Sequence, residues 1–237
     1  MSVSYQLQYG SQPIDFTVTR RKRHTMQISV LPDTSVEVVA PLATSESDIL
    51  KRMRKRAGWV CRQMRYFQQY LPRTPERQFV AGETHLYLGR RYRLKVVRSL
   101  VPAIKLKRGF IEVRTHFPSQ RGVIRQQVEE WQKMKAQEWF HNRLAECLRK
   151  FPRPNAYRPD RLVIKQLKQR WGSMGRSGRL VLNRHLLQAS VQEIDYVITH
   201  ELCHRVHLHH GQEFFDLLSR VMPDWKVRKR NLERRLA

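Results

Sequence analysis

Acidic residues are scarce in this 237-residue chain: 20 Asp and Glu stand against 46 Lys and Arg, a formal charge of +26. Such a field draws in polyanions and speeds their approach, but it says nothing about fold. Cysteine is scarcer still. Cys61, Cys147 and Cys203 are odd in number and widely spaced, with no C-x-x-C pair. That argues against a disulfide framework and for a reducing compartment. No run approaches the roughly 18 apolar residues of a membrane span. The opening MSVSYQLQYGSQPIDF lacks the charged start and apolar stretch of a secretory signal. The expectation is a soluble, cytoplasmic protein with no membrane partner. No G-x-x-x-x-G-K-[ST] loop occurs, which excludes P-loop phosphate chemistry. Zinc-finger spacing, an RNA-recognition signature and a clear helix-turn-helix are also missing.

What is present suits a folded chain: 41% apolar and 9% aromatic residues, enough for one large domain or two small ones. FTVTR, MQISVL and SVEVVA alternate or are rich in Val, so residues 14–40 read as strands, with a turn at Pro32-Asp33-Thr34. TSESDIL then carries helix-start signals. Ile49, Met53, Ala57, Val60, Met64 and Phe67 recur at helical spacing to about Tyr70, opposite a face of Lys51, Arg52, Arg54, Lys55, Arg56, Arg62 and Arg65. That face is either solvated or a phosphate-contacting stripe. After the Pro-containing link LPRTPER come two hairpins, turning near Gly89 and at Arg108-Gly109, then a helix over 120–150 that Pro152, Pro154 and Pro159 end. RLVIKQL reads as a strand. Next comes a turn with three glycines in seven residues, flanked by strands. No internal repeat is legible.

Five of the ten histidines fall between residues 200 and 210. The helix that carries them starts with a capping box, Ser190 and Glu193, and shows an apolar side of Val191, Ile194, Val197, Ile198 and Leu202. His200, Glu201 and His204 form H-E-x-x-H. Four residues turn a helix through about 400°, so the two histidines stand about 40° apart on one face, one turn apart. Both can reach one zinc ion. Glu201 is placed to take a proton from a metal-bound water as it attacks a carbonyl. A catalytic zinc needs a third protein ligand, and His207, His209, His210 and Glu213 are the candidates. His207 continues the same face but lies about 10 Å along the axis from His200. His210 stands six residues after His204, the spacing of the long zincin pattern, though His207 stands at that pattern's Gly position. Gly211 can ease the turn beyond it. Cys203 points off the ligand face and reads as a packed thiol.

The stretch RWGSMGRSGRLVLNRHLLQASVQEIDYVITHELCHRVHLHHGQEFFDLLSRVMPDW closely resembles the YgjP-like metallopeptidases, a zincin group. The resemblance rests on Trp171-Gly172-Ser173, Leu182-Asn183, Ile194 to Val197, His200 to His204, and His209-His210-Gly211 with Phe214. The family has N-H-S where this chain has His209-His210-Gly211, so the ligand histidine stays while its neighbours differ. The match is strongest over 165–225, with looser echoes toward the N-terminus. It implies one zinc per chain held by His200, His204 and His210, with Glu201 as general base. It also implies an α+β fold whose metal helix packs under a small sheet containing GRLVLN. The edge of that sheet would hold an extended peptide by strand addition. Arg170 would orient a substrate oxygen, with Trp171, Gly172 and Ser173 beside the site; Trp171 reads equally well as a core aromatic. On this reading a strand-rich lobe over 1–120 precedes a catalytic region over 121–237, unless one domain runs over about 14–233.

One activity is expected on these grounds, with two alternatives to it. It is zinc-dependent hydrolysis of peptide or protein substrates. One alternative is metal-dependent hydrolysis of nucleotides, for which the surplus positive charge is suited. The other is a protease associated with nucleic acid through Arg20 to Arg23, the basic helix and Lys226 to Arg230. A purely structural zinc site is disfavoured, because four protein ligands leave no use for Glu201.

Overall fold

A computed structural model describes residues 2–31, 33–69, 77–167 and 170–236. Pro32 of the first expected turn, residues 71–76 of the Pro-containing link, and residues 168–169 lie outside the described residues. The fold is α+β, as expected. The chain divides into two compact units, residues 1–75 and 76–236. The strands of residues 84–115 therefore belong with the C-terminal helices rather than with the N-terminal strands. Composition did not reveal this, because both halves of the strand-rich stretch look alike.

The first unit holds β1 (Ser2–Tyr9), β2 (Gln12–Arg21), β3 (Gln27–Val30), β4 (Val36–Pro41) and α1 (Glu46–Gln68). In β2, Ile14, Phe16 and Val18 are buried while Asp15 and Thr17 between them are exposed; in β4, Val36, Val38 and Ala40 are buried while Glu37 and Val39 between them are half-buried. One sheet face is thus apolar, and α1 covers it with Ile49, Met53, Ala57, Val60 and Cys61. Each large aliphatic buried this way contributes about 1.5–3 kcal/mol. Ser45 caps α1 by accepting a hydrogen bond from the Asp48 N–H at 3.2 Å. The strands read from residues 14–40 leave out β1, although SVSYQLQY alternates polar and apolar residues at every position; of its apolar side chains only Leu7 is buried.

The second unit begins with β5 (Thr84–Tyr87), β6 (Arg90–Arg98), β7 (Ala103–Lys107), β8 (Phe110–Thr115) and α2 (Arg121–Leu148). Its strand order is β5-β6-β8-β7, and that of the first unit is β1-β2-β4-β3. In both, two antiparallel hairpins meet through a parallel pair, β2 with β4 and β6 with β8, and a long helix comes after them. The four-strand-plus-helix pattern is therefore repeated in topology, although no internal repeat is legible in the residues themselves. Pairing register and alternation specify this topology without needing matched residues. Leu88-Gly89 and Arg108-Gly109, all at positive φ, close the two hairpins as two-residue turns.

The remaining elements are α3 (Pro154–Tyr157), β9 (Arg161–Lys165), β10 (Gly172–Met174), β11 (Arg179–Asn183), a 3-10 turn (Arg184–Gln188), α4 (Val191–Cys203), α5 (Gln212–Val221) and α6 (Trp225–Leu236). β11 is central in a three-stranded sheet, parallel to β9 and antiparallel to β10, which forms an edge. Its residues Leu180 to Asn183 are all buried. α4 packs against β10 and β11 on one side and against α2, α5 and α6 on others. Its register on α2 is fixed by Arg143, whose Nε and Nη2 donate to the two carboxylate oxygens of buried Asp195, both at 2.7 Å. No described helix is long and apolar enough to cross a membrane.

Candidate metal centre

α4 begins as its sequence dictates. Ser190 Oγ accepts from the Glu193 N–H, and the Glu193 carboxylate accepts from the Ser190 N–H at 2.7 Å. Arg235 of α6 holds the same carboxylate at 3.0 Å. Ten of the helix's thirteen residues are buried, Glu201 among them. The helix stops at Cys203 with His204 as its C-cap. His207 therefore does not continue the helical face. It turns aside, and its Nδ1 lies 3.4 Å from a Glu213 carboxylate oxygen, so two of the alternative third ligands pair with each other. His209 is exposed. The chain returns with His210 just before α5. Gly211 caps that helix at φ −82°, a conformation any residue adopts, so glycine is not required for the turn.

The result is a convergence of three imidazoles. His210 Nε2 lies 3.0 Å from His204 Nε2 and 3.1 Å from His200 Nε2. Nitrogen ligands at about 2.0–2.1 Å around a tetrahedral ion stand about 3.3 Å apart, so the trio fits one ion with slight opening. Among the described residues no other group of three His, Cys, Asp or Glu converges in this way. The His204 Nδ1–H donates to the His207 carbonyl at 2.9 Å, which leaves the Nε2 lone pair facing its neighbours. Burial, reinforced by His204 and His210, pulls the His200 pKa down to about 3, so that ring stays neutral. His210 is also lowered, by burial first and His204 second. Fully buried Phe214 backs all three rings, its centroid 4.6–5.0 Å from each.

Glu201 is 7% exposed. Burial pushes its pKa up to about 7, against the opposing pull of the Met174 N–H and the Arg170 charge. Its neighbour is Gly172 of β10. A Cβ there would stand 2.9 Å from Glu201 Cγ and 3.1 Å from Oε1, so only glycine leaves the carboxylate its space. Trp171 is half-buried against the core of this unit, Ser173 pairs with Val181 along β10, and Arg170 is exposed. Cys203 is buried with its pKa raised to about 12 by burial, a packed thiol as expected, and all three cysteines are free.

Asn183 is a residue whose work the sequence reading left unassigned. Its Nδ2 donates to the carbonyls of Leu167 and Arg170 at 2.9 and 3.0 Å, and its Oδ1 accepts from the His185 N–H. With the Asn183 N–H donating to the Trp171 carbonyl at 2.8 Å, it pins the approach to β10. Its signal was the L-N ending of the strand.

Three histidines on one helix and its exit loop, beside a buried carboxylate and a sheet edge, define a candidate metal centre in an α+β scaffold. The sequence matches the YgjP-like family, described as YgjP-like, metallopeptidase domain, over residues 24–235. The chain belongs to this family of metallopeptidases, and the family implies a metal cofactor. A comparison with curated proteins gave no match.

Proposed function

We propose that this chain is a zinc-dependent peptidase in which His200, His204 and His210 are the metal ligands and Glu201 is the general base. The observation that carries the reading is the approach of three imidazole nitrogens to within ligand spacing of one another, with Glu201 buried alongside. An all-imidazole donor set suits zinc better than magnesium or calcium, which prefer oxygen. Zinc, when bound, polarises a carbonyl as a Lewis acid and lowers the pKa of a water toward about 7. The Glu201 carboxylate takes the proton of the attacking water and returns it to the leaving amine, roles matched by a pKa near 7. Extended peptide is the substrate class, added as a strand to the edge of β10. Arg170 and Ser173 are then the substrate-side residues, while Gly172 and Trp171 position the carboxylate and the strand. All of these residues lie within 121–237, which we take as the catalytic part of the second unit. Three buried free thiols suit a reducing, cytoplasmic setting.

Elemental mass spectrometry on protein purified without added metal tests the ligand set. About one zinc per chain is expected, lost in His204→Ala and kept in Glu201→Gln. A chain that takes up no zinc even when it is offered refutes the proposal. Gly172→Ala is expected to keep its zinc yet hydrolyse peptides about 10²-fold more slowly, because its methyl displaces the base. Unchanged turnover in that variant would show that the carboxylate has room to spare.

A further inference from the structure

The first unit has a cleft of its own, about 620 Å³, between α1 and the β3 side of its sheet. Arg23, Arg52, Lys55 and Arg56 surround it, and Met26 and Trp59 give it an apolar wall. Among the described residues, none that lines it is acidic. Among the described residues, none of Arg52, Lys55 and Arg56 has an ion-pair partner, and Arg52 and Arg56 repel each other one turn apart on α1. An anion in the cleft relieves that repulsion.

We propose that this cleft is a binding site for single-stranded polynucleotide, with phosphates held by Arg52, Lys55 and Arg56 and a base seated against Trp59. Three features select this ligand. The positive stripe continues past the cleft, from Lys51 to Arg65, about 21 Å along the helix axis, which is longer than a mononucleotide can use. The apolar wall offers a stacking surface, and only an unpaired strand has bases free to meet it; a duplex keeps them inside. Planar guanidinium groups match phosphate geometry and also stack on bases. The cleft lies entirely within the first unit, so this inference is independent of the metal centre in the second.

Fluorescence anisotropy with labelled 12-nucleotide oligo-dT and oligo-U on the full chain provides the test. Binding is expected to weaken steeply with salt, log affinity falling by about 0.7 per phosphate contact for each decade of salt. The triple variant Arg52→Glu, Lys55→Glu, Arg56→Glu should bind at least ten-fold more weakly, with a salt slope shallower by about 2. Trp59→Phe should retain affinity. Trp59→Leu should lose about ten-fold without changing the slope. Reversal of three exposed cations in the other unit, Arg90, Arg91 and Lys105, should leave affinity within about two-fold. Preference for oligo-U assigns RNA and preference for oligo-dT assigns DNA. The proposal is overturned if the α1 triple variant, folded by circular dichroism, binds like the parent. It is equally overturned if the control reversal costs as much, or if oligo-glutamate of matched charge displaces the oligonucleotide as well as unlabelled strand does.

Discussion

Glu201→Gln is expected to reduce peptide hydrolysis by about 10²–10⁴-fold, the usual loss on removing a general base, with zinc content unchanged. The amide has nearly the carboxylate's size and still fits over Gly172, but it cannot accept the water's proton. The same substitution has a second signature in metal-free protein. Burial raises this group's pKa from an ordinary 4.5 to about 7, so the folded chain holds the proton more tightly than the unfolded chain does. Below pH 4.5 both states are protonated and nothing is lost. As pH rises to 7 the unfolded state ionises first, and stability falls by roughly 3 kcal/mol before levelling off. Urea denaturation of the metal-free proteins should therefore find Glu201→Gln more stable than the parent by up to about 3 kcal/mol at pH 8, and nearly equal to it at pH 4. Glu233, also raised to about 7 by burial, is common to both proteins and cancels in the difference. An equal gap at both pH values would mean that this carboxylate does not titrate from a buried position.

Arg143→Ala should cost about 3–5 kcal/mol, because it strands the Asp195 carboxylate, 5% exposed, without its bidentate partner. The pair itself need not contribute that much. Its removal as a unit, Arg143→Ala with Asp195→Ala, should recover a good part of the loss, since no buried charge is then left unpaired. Urea midpoints of the two single variants and the double variant measure the coupling. A loss below about 1 kcal/mol in Arg143→Ala would show that water reaches Asp195. The pair matters to the site because Asp195 lies five residues before His200 on α4, and the Arg143 guanidinium fixes how that helix sits on α2.

The features that were legible in the sequence are the local ones. Helix hydrogen bonds run over four residues, so the spacing of His200, Glu201 and His204 already placed them on one face of a turn. Ser190 and Glu193 announced where that turn started, and Gly89 and Gly109 announced two hairpins. β1 was legible on the same grounds, since SVSYQLQY alternates at every position, although this edge strand buries only Leu7. The repeated strand order was invisible because register, not residue identity, carries it.

By itself the sequence determined the basic charge, the odd and widely spaced cysteines and the helix that bears H-E-x-x-H, which depend on composition or on neighbours within a turn, and the family, which rests on residues 24–235. The resemblance already pointed to His210; the tertiary structure brings it, rather than His207 or Glu213, to the other two histidines, because α4 ends at Cys203 and the chain turns back. Tertiary structure also set Gly172 beneath Glu201 across 29 positions of chain, and Arg143 against Asp195 across 52. Such contacts are made by the path of the backbone and the packing of whole elements. No local pattern encodes them, because either partner would look the same in sequence if the fold had brought it elsewhere.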